Sequence, residues 1–155
     1  MKRIEASVEI DAPVVDVFGY ASDWSRWEDW WEGVSHFRPT TEVKRGNGAR
    51  YAYKAWMAGM TVNLETEINE FTVNVGWKGV ATKGPPHRTQ WLFETKKGKT
   101  QLTYILEYDL PWFVLGPILD ALLMRPGWQR MLEHSLQNLK THFEGQQTAG
   151  ADERQ

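Results

Sequence analysis

The 155-residue chain contains no cysteine, which excludes disulfide scaffolds, thiolate metal sites and cysteine nucleophiles. Neither sign of charge dominates: 18 Lys and Arg stand against 20 Asp and Glu, a formal net charge of -2. The chain therefore lacks the broad positive potential with which nucleic-acid binders engage phosphates, and no nucleic-acid partner is expected. It also has no long apolar run. The longest, Trp112–Met124, is broken by Gly116, Pro117 and Asp120 and falls well short of the ~20 residues that span a bilayer. The start, Met1-Lys2-Arg3-Ile4-Glu5, carries no apolar export signal, so a cytoplasmic location is expected. A nucleophile elbow, a phosphate-cradling loop and a dinucleotide fingerprint are all missing; Gly46-Asn47-Gly48 is too short and precedes a strand. What is abundant is aromatic: nine Trp, six Phe and five Tyr, 13% of the chain. Such rings either build a bulky core or wall a concave site.

Hydrophobic periodicity divides the chain into elements. Ile4, Ala6, Val8 and Ile10 alternate with polar residues, as in a strand with one buried face. Asp11-Ala12-Pro13 stops it and opens a short helix bearing Val14, Val17, Phe18 and Ala21. Ser22-Asp23 can cap a second short helix that carries Trp24, Trp27, Trp30 and Trp31 as far as Gly33. These four rings, at helical spacing, either plug the end of a sheet or line a cavity mouth. Six strands then follow with short turns: Val34–Thr40, Ala49–Met57, Met60 to Ile68, Val73 to Gly79, His87–Lys96 and Thr100–Leu110. Short connections between successive strands imply an antiparallel meander, about seven strands with the first, each with one apolar face. A final helix ending near Glu144 bears Trp128, Leu132, Ser135, Leu136, Leu139 and Phe143 as one stripe. Gly145 can end it, leaving residues 145–155 as a disordered polar tail. Residues 1–144 thus form one α+β domain.

Several stretches together resemble the START-like superfamily (the birch-pollen-allergen or SRPBCC fold), in its polyketide cyclase/dehydrase-like branch. They are Ile10-Asp11-Ala12-Pro13 with Val17-Phe18, Asp23-Trp24 with Trp27, and Gly46-Asn47-Gly48-Ala49-Arg50. Thr100-Gln101-Leu102-Thr103-Tyr104 and Leu136, Leu139-Lys140 and Phe143-Glu144 complete the set, over residues 1 to about 144. The resemblance implies a helix-grip fold, a curved sheet wrapped around a long C-terminal helix, with a deep apolar cavity between them. Its guests would be a lipid, a quinone or a polyketide-like molecule, and no cofactor is expected.

Alternation nominates the residues facing that cavity: Tyr51, Tyr53, Met60, Val62, Leu64, Trp77, Trp91, Phe93, Leu102, Tyr104, Leu106 and Tyr108. Trp128, Leu132 and Ser135 join them from the helix, and Trp27 from the second short helix. The third strand is open to a second register, because Ala52, Lys54 and Trp56 occupy its other face and a one-residue slip exchanges the two sets. Buried tyrosine hydroxyls need partners and can orient a ligand carbonyl or donate a proton. His87 shares the parity of Thr89, Trp91 and Phe93; it is either a general base or a partly exposed histidine after two prolines. His87 and Tyr104 are the catalytic candidates. His134 and His142 stand two turns apart with Asn138 between them, and His36 lies in the second strand, so no metal site is expected. Glu65, Glu67, Glu107 and Asp109 read as a solvated sheet face.

Three functions fit. The first is binding or transport of a hydrophobic small molecule, by a monomer or homodimer. The second is a cyclase, aromatase or dehydratase, and the third a partner-binding module. Trp112–Met124 would pack on the rim, act as a lid, mediate a dimer or touch a membrane surface transiently.

Overall fold

A computed structural model describes residues 2–57, 60–109 and 125–152. Ala58-Gly59, where a tight hairpin is expected, the Trp112–Met124 segment and the last three residues lie outside the described residues. The order is β1 (Lys2–Ile10), α1 (Val14–Ala21), a 3-10 turn (Trp24–Arg26), α2 (Trp27–Trp30) and β2 (Val34–Pro39). Then come β3 (Arg50–Met57), β4 (Met60–Thr72), β5 (Gly76–Lys83), β6 (His87–Lys96), β7 (Lys99–Tyr108) and α3 (Arg125–Asp152). All seven strands join one antiparallel sheet in the order β1-β7-β6-β5-β4-β3-β2, so the meander β2–β7 is closed by β1 alongside β7. This is the helix-grip fold with two short helical segments between β1 and β2.

Local chemistry sets the boundaries. Asp23 caps the 3-10 turn, its carboxylate accepting from the Ser25 amide at 3.0 Å and from the Ser25 hydroxyl at 2.7 Å. Register shifts in β4 at Glu65/Thr66 and Asn69/Thr72, and in β2 between Ser35 and Arg38, bend the sheet into its half-barrel. The expected strand beginning at Val73 starts instead at Gly76. Val73 and Val75 lie in the turn, 66% and 52% exposed, because Asn74 (φ 64°) and Gly76 (φ 149°) reverse the chain there.

Helix α3 packs Leu132, Ser135, Leu136 and Leu139 into the grip, all buried. Its polar flank is tied to β1: Arg125 donates to the Arg3 carbonyl, Gln129 to that of Glu5 and Lys140 to that of Glu9. The helix continues past Gly145 to Asp152. An interior glycine costs only about 1 kcal/mol relative to alanine, too little by itself to end a helix.

Candidate functional site

The aromatic residues divide the interior into a filled end and a hollow end. At the filled end Phe18 meets Phe71, Trp77 and Phe93 at ring distances of 5.4, 5.8 and 5.1 Å. Trp27 lies edge-on to Tyr51 and Phe37 and donates its indole N–H to the Ala21 carbonyl at 2.8 Å. Trp91, 2% exposed, is enclosed by Trp30, Trp31, Trp77 and Tyr104. These rings form a floor.

Beyond that floor lies a cavity of about 130 Å3. Its walls come from the Trp31–Val34 turn, from Tyr53, Ala55 and Leu64 on β3 and β4, and from the Pro85-Pro86-His87 entry to β6. Tyr104, Leu106 and Tyr108 on β7 and Trp128, Met131 and Leu132 on the first turns of α3 complete them. Tyr108 and Trp128 meet edge to face at 4.7 Å. The apolar faces of β3 and β7 converge here because alternate residues of a strand share a side, and α3 supplies the cover.

One polar chain crosses the apolar wall. His87 Nδ1 lies 2.9 Å from the Pro85 carbonyl oxygen, which can only accept, so Nδ1 carries the proton and Nε2 presents its lone pair. The Tyr53 hydroxyl, 3.2 Å from Nε2, donates to it and accepts from the Thr66 hydroxyl at 2.9 Å. Burial pushes the His87 pKa below its usual value, against the opposing effect of the Pro85 carbonyl. Burial likewise raises Tyr53 to about 12. It raises Tyr104 too, and the neighbouring Tyr53 adds to that shift. The site therefore holds a neutral imidazole and two protonated phenols near neutral pH. The Tyr104 hydroxyl has no hydrogen-bond partner among the described residues, leaving a donor for a polar atom of a guest.

The depressed histidine has a consequence for stability. Below about pH 6.5 an unfolded chain protonates His87 while the folded chain resists, so the unfolded state binds more protons. Stability should fall as pH drops from about 6.5 towards the folded pKa, by at most ~1.4 kcal/mol per pH unit. Above pH 6.5 the contribution is constant. Urea unfolding of His87→Gln across pH 5–8 should show a shallower dependence in that window; an unchanged slope would assign it to other groups.

Of the residues nominated from sequence, Tyr53, Leu64, Tyr104, Leu106, Tyr108, Trp128, Leu132 and His87 border the cavity. Trp27, Tyr51, Trp77, Trp91 and Phe93 lie in the filled core instead. Val62, half-buried opposite Ala55, is not on the wall. Ser135 is buried between elements: its hydroxyl donates to the Met131 carbonyl and accepts the Glu32 amide, joining α3 to the turn after α2. The β3 register is the one with Tyr51 and Tyr53 inward and Lys54 outward. Trp31, one of the four rings expected either to plug the sheet or to line a cavity mouth, borders the cavity, as does Trp56, which alternation puts on the other face of β3 and which is 52% exposed. Sequence reasoning passed over the Gly33 turn, Pro85-Pro86 and Met131. Thr89 and Ile4 were legible from strand parity.

Glu65 is not solvated. It is 6% exposed, with its oxygens accepting from Thr82 at 2.7 Å and Thr40 at 3.0 Å, and these hydroxyls lower its pKa. His134 faces Glu32 at 3.5 Å and His142 stacks on Tyr20 at 4.0 Å. No helix among the described residues is long and apolar enough to cross a membrane.

Comparison with known proteins places this geometry. Residues 1–144 match a family model described as polyketide cyclase/dehydrase and lipid transport. No curated protein matches the chain by sequence. Among solved structures, TTHA0849 from Thermus thermophilus superposes with a TM-score of 0.79 at 20% identity, over 93% of this chain and 98% of that one. The di-domain ARO/CYC StfQ of the steffimycin biosynthetic pathway gives 0.76 at 14% identity, over 94% of this chain and 51% of its own. A START superfamily protein from Mycobacterium smegmatis gives 0.70 at 17%, over 92% and 97%.

Proposed function

The chain belongs to the polyketide cyclase/dehydrase and lipid-transport family, and from that premise we propose that its cavity binds a small hydrophobic or aromatic molecule. The observation that carries the reading is the composition of the wall. Trp31, Leu64, Leu106, Trp128 and Leu132 offer apolar surface, and Tyr53, Tyr104 and His87 bring a few polar atoms to it. An apolar concavity with few convergent polar groups is the usual form of a small-molecule site. Volume narrows the guest: a cavity of about 150 Å3 holds one benzene ring, so about 130 Å3 suits a single ring. A longer lipid or multi-ring guest enters only if the walls part.

Displacement of a fluorescent probe by a panel of lipids, quinones and polyketide-like aromatics tests this, with native mass spectrometry for co-purified guests. Binding of single-ring carbonyl compounds is the expected result; no binding across the panel would refute it. Tyr104→Phe should weaken a ligand bearing a carbonyl about tenfold, the scale of one hydrogen bond, and leave a hydrocarbon of the same shape unaffected. Equal losses for both would remove the orienting role of the hydroxyl.

One observation favours a second reading. The His87 Nε2 lone pair, oriented by the Pro85 carbonyl and hydrogen-bonded to Tyr53, is built like a general base with an adjacent acid. A cyclase or dehydratase would use it to remove a proton next to a ligand carbonyl. Turnover of poly-β-keto substrates abolished in His87→Ala would support that chemistry; binding without turnover leaves the carrier.

A further inference from the structure

The outer face of β2, β3 and β4 carries a second concavity, a polar basin of about 670 Å3 bordered by His36, Arg38, Arg50, Lys54, Glu65 and Lys83. Its charges are not balanced. Arg50 pairs with Glu67 at 2.6 Å, and Lys83 stands 4.0 Å from Glu65, whose oxygens already accept the Thr40 and Thr82 hydroxyls. Both carboxylates are thereby engaged. Arg38 and Lys54 are exposed, and neither side chain has an ion pair or hydrogen bond among the described residues. The Asn63 amide on the same rim is equally without a partner there.

The strand register brings these three together. Lys54 lies directly opposite Asn63, and Arg38 opposite Ala52, two residues from Lys54 on the same face. Diagonal neighbours in an antiparallel pair sit about 7–8 Å apart, within reach of long side chains. Ala52 leaves the floor between them low. The bulge at His36 (φ 58°) lengthens β2 by one residue between Ser35 and Arg38, which sets Arg38 in this register while turning Phe37 into the core.

We propose that this basin binds a phosphate group, with Arg38 and Lys54 supplying two positive charges and Asn63 an amide N–H. A phosphomonoester offers close to two negative charges and three acceptor oxygens near neutral pH. The guanidinium fork takes two oxygens and the ammonium acts as a point charge. A carboxylate offers half the charge and one fewer oxygen. The site is independent of the inner cavity, although the paired residues Tyr53 and Leu64 border both.

The full chain, 15N-labelled, is titrated with methyl phosphate, with acetate at equal ionic strength, and with phosphatidylcholine vesicles with and without phosphatidic acid. Saturable amide shifts centred on Arg38, Lys54 and Asn63 are expected with phosphate and not with acetate. Arg38→Gln and Lys54→Gln should each weaken binding about fivefold, the upper range for an exposed charge contact, and the double variant should lose saturation. Lys96→Gln, on β6 beside Glu94, should change nothing. Saturation by methyl phosphate assigns a soluble phosphomonoester, and a response confined to phosphatidic acid vesicles assigns a lipid headgroup. Acetate binding as tightly, phosphate binding that survives the double variant, or no response to either phosphate source overturns the proposal. All three variants are exposed and should keep the wild-type unfolding midpoint, which separates a lost site from a lost fold.

Discussion

Gly76→Ala should destabilise the fold on the order of 3–5 kcal/mol, the largest effect expected of a methyl group added at any of the described glycines. Gly76 begins β5 opposite Leu92 with φ 149°, in a region that side chains rarely adopt. A Cβ built there would stand 1.9 Å from the Trp91 carbonyl oxygen and 3.0 Å from its carbon. Both are backbone atoms of the adjacent strand, so no rotamer change relieves the clash. The strands must separate, and with them the Trp77–Trp91 stack at 5.5 Å that floors the cavity. Strain at such a position costs about 1–3 kcal/mol and overpacking a similar amount, against a total stability of roughly 5–15 kcal/mol. Urea unfolding followed by tryptophan fluorescence and near-ultraviolet dichroism measures it. A variant within 1 kcal/mol of the parent would show that β5 and β6 part freely.

Ala55→Phe should abolish guest binding, by more than about a hundredfold, while leaving the fold as stable as before or slightly more so. Ala55 borders the cavity from β3, between Val34 on β2 and Val62 on β4. The substitution adds one six-carbon ring to a space of about 130 Å3, and a cavity of about 150 Å3 is filled by one such ring. The guest would then compete with a side chain held at very high effective concentration, while the wall gains contacts it lacked. Probe displacement and unfolding midpoints must be read together. Loss of binding with an intact midpoint locates the guest in this cavity. Undiminished binding would put it elsewhere and remove the central claim about the inner site. The phosphate proposal would be untouched by either result, since Arg38, Lys54 and Asn63 lie on the other face of the sheet from Ala55.

The contrast between Tyr51 and Tyr53 shows how far strand parity reaches. Both have the same parity on β3, and alternation correctly turned both inward. Two residues along a strand is only about 7 Å, yet Tyr51 meets Trp24 and Trp27 in the filled end and Tyr53 meets His87 at the cavity. Likewise Trp91 and Tyr104 are cross-strand partners on β6 and β7, and only Tyr104 borders the cavity. Alternation reports a face; it carries no information about depth along that face. The solvated reading of Glu65 failed for a related reason. Its outward parity was right, but two hydroxyls, one across β3 and one on β5, enclose a carboxylate that periodicity alone assigns to water.

Local pattern by itself determined the element order, the antiparallel meander and the amphipathic C-terminal helix, because each rests on periods of two or 3.6 residues and on turn chemistry written in neighbouring positions. Where the interior is filled and where it is empty was decided only by tertiary structure. A void is the volume left between elements distant in the chain, here the Gly33 turn, the Pro85-Pro86 entry and the first turns of α3, and it depends on how their side chains meet. The same holds for the proton on His87, fixed by a carbonyl two residues away, and for the outer basin, whose three donors come from three strands and share a site only through a bulged register.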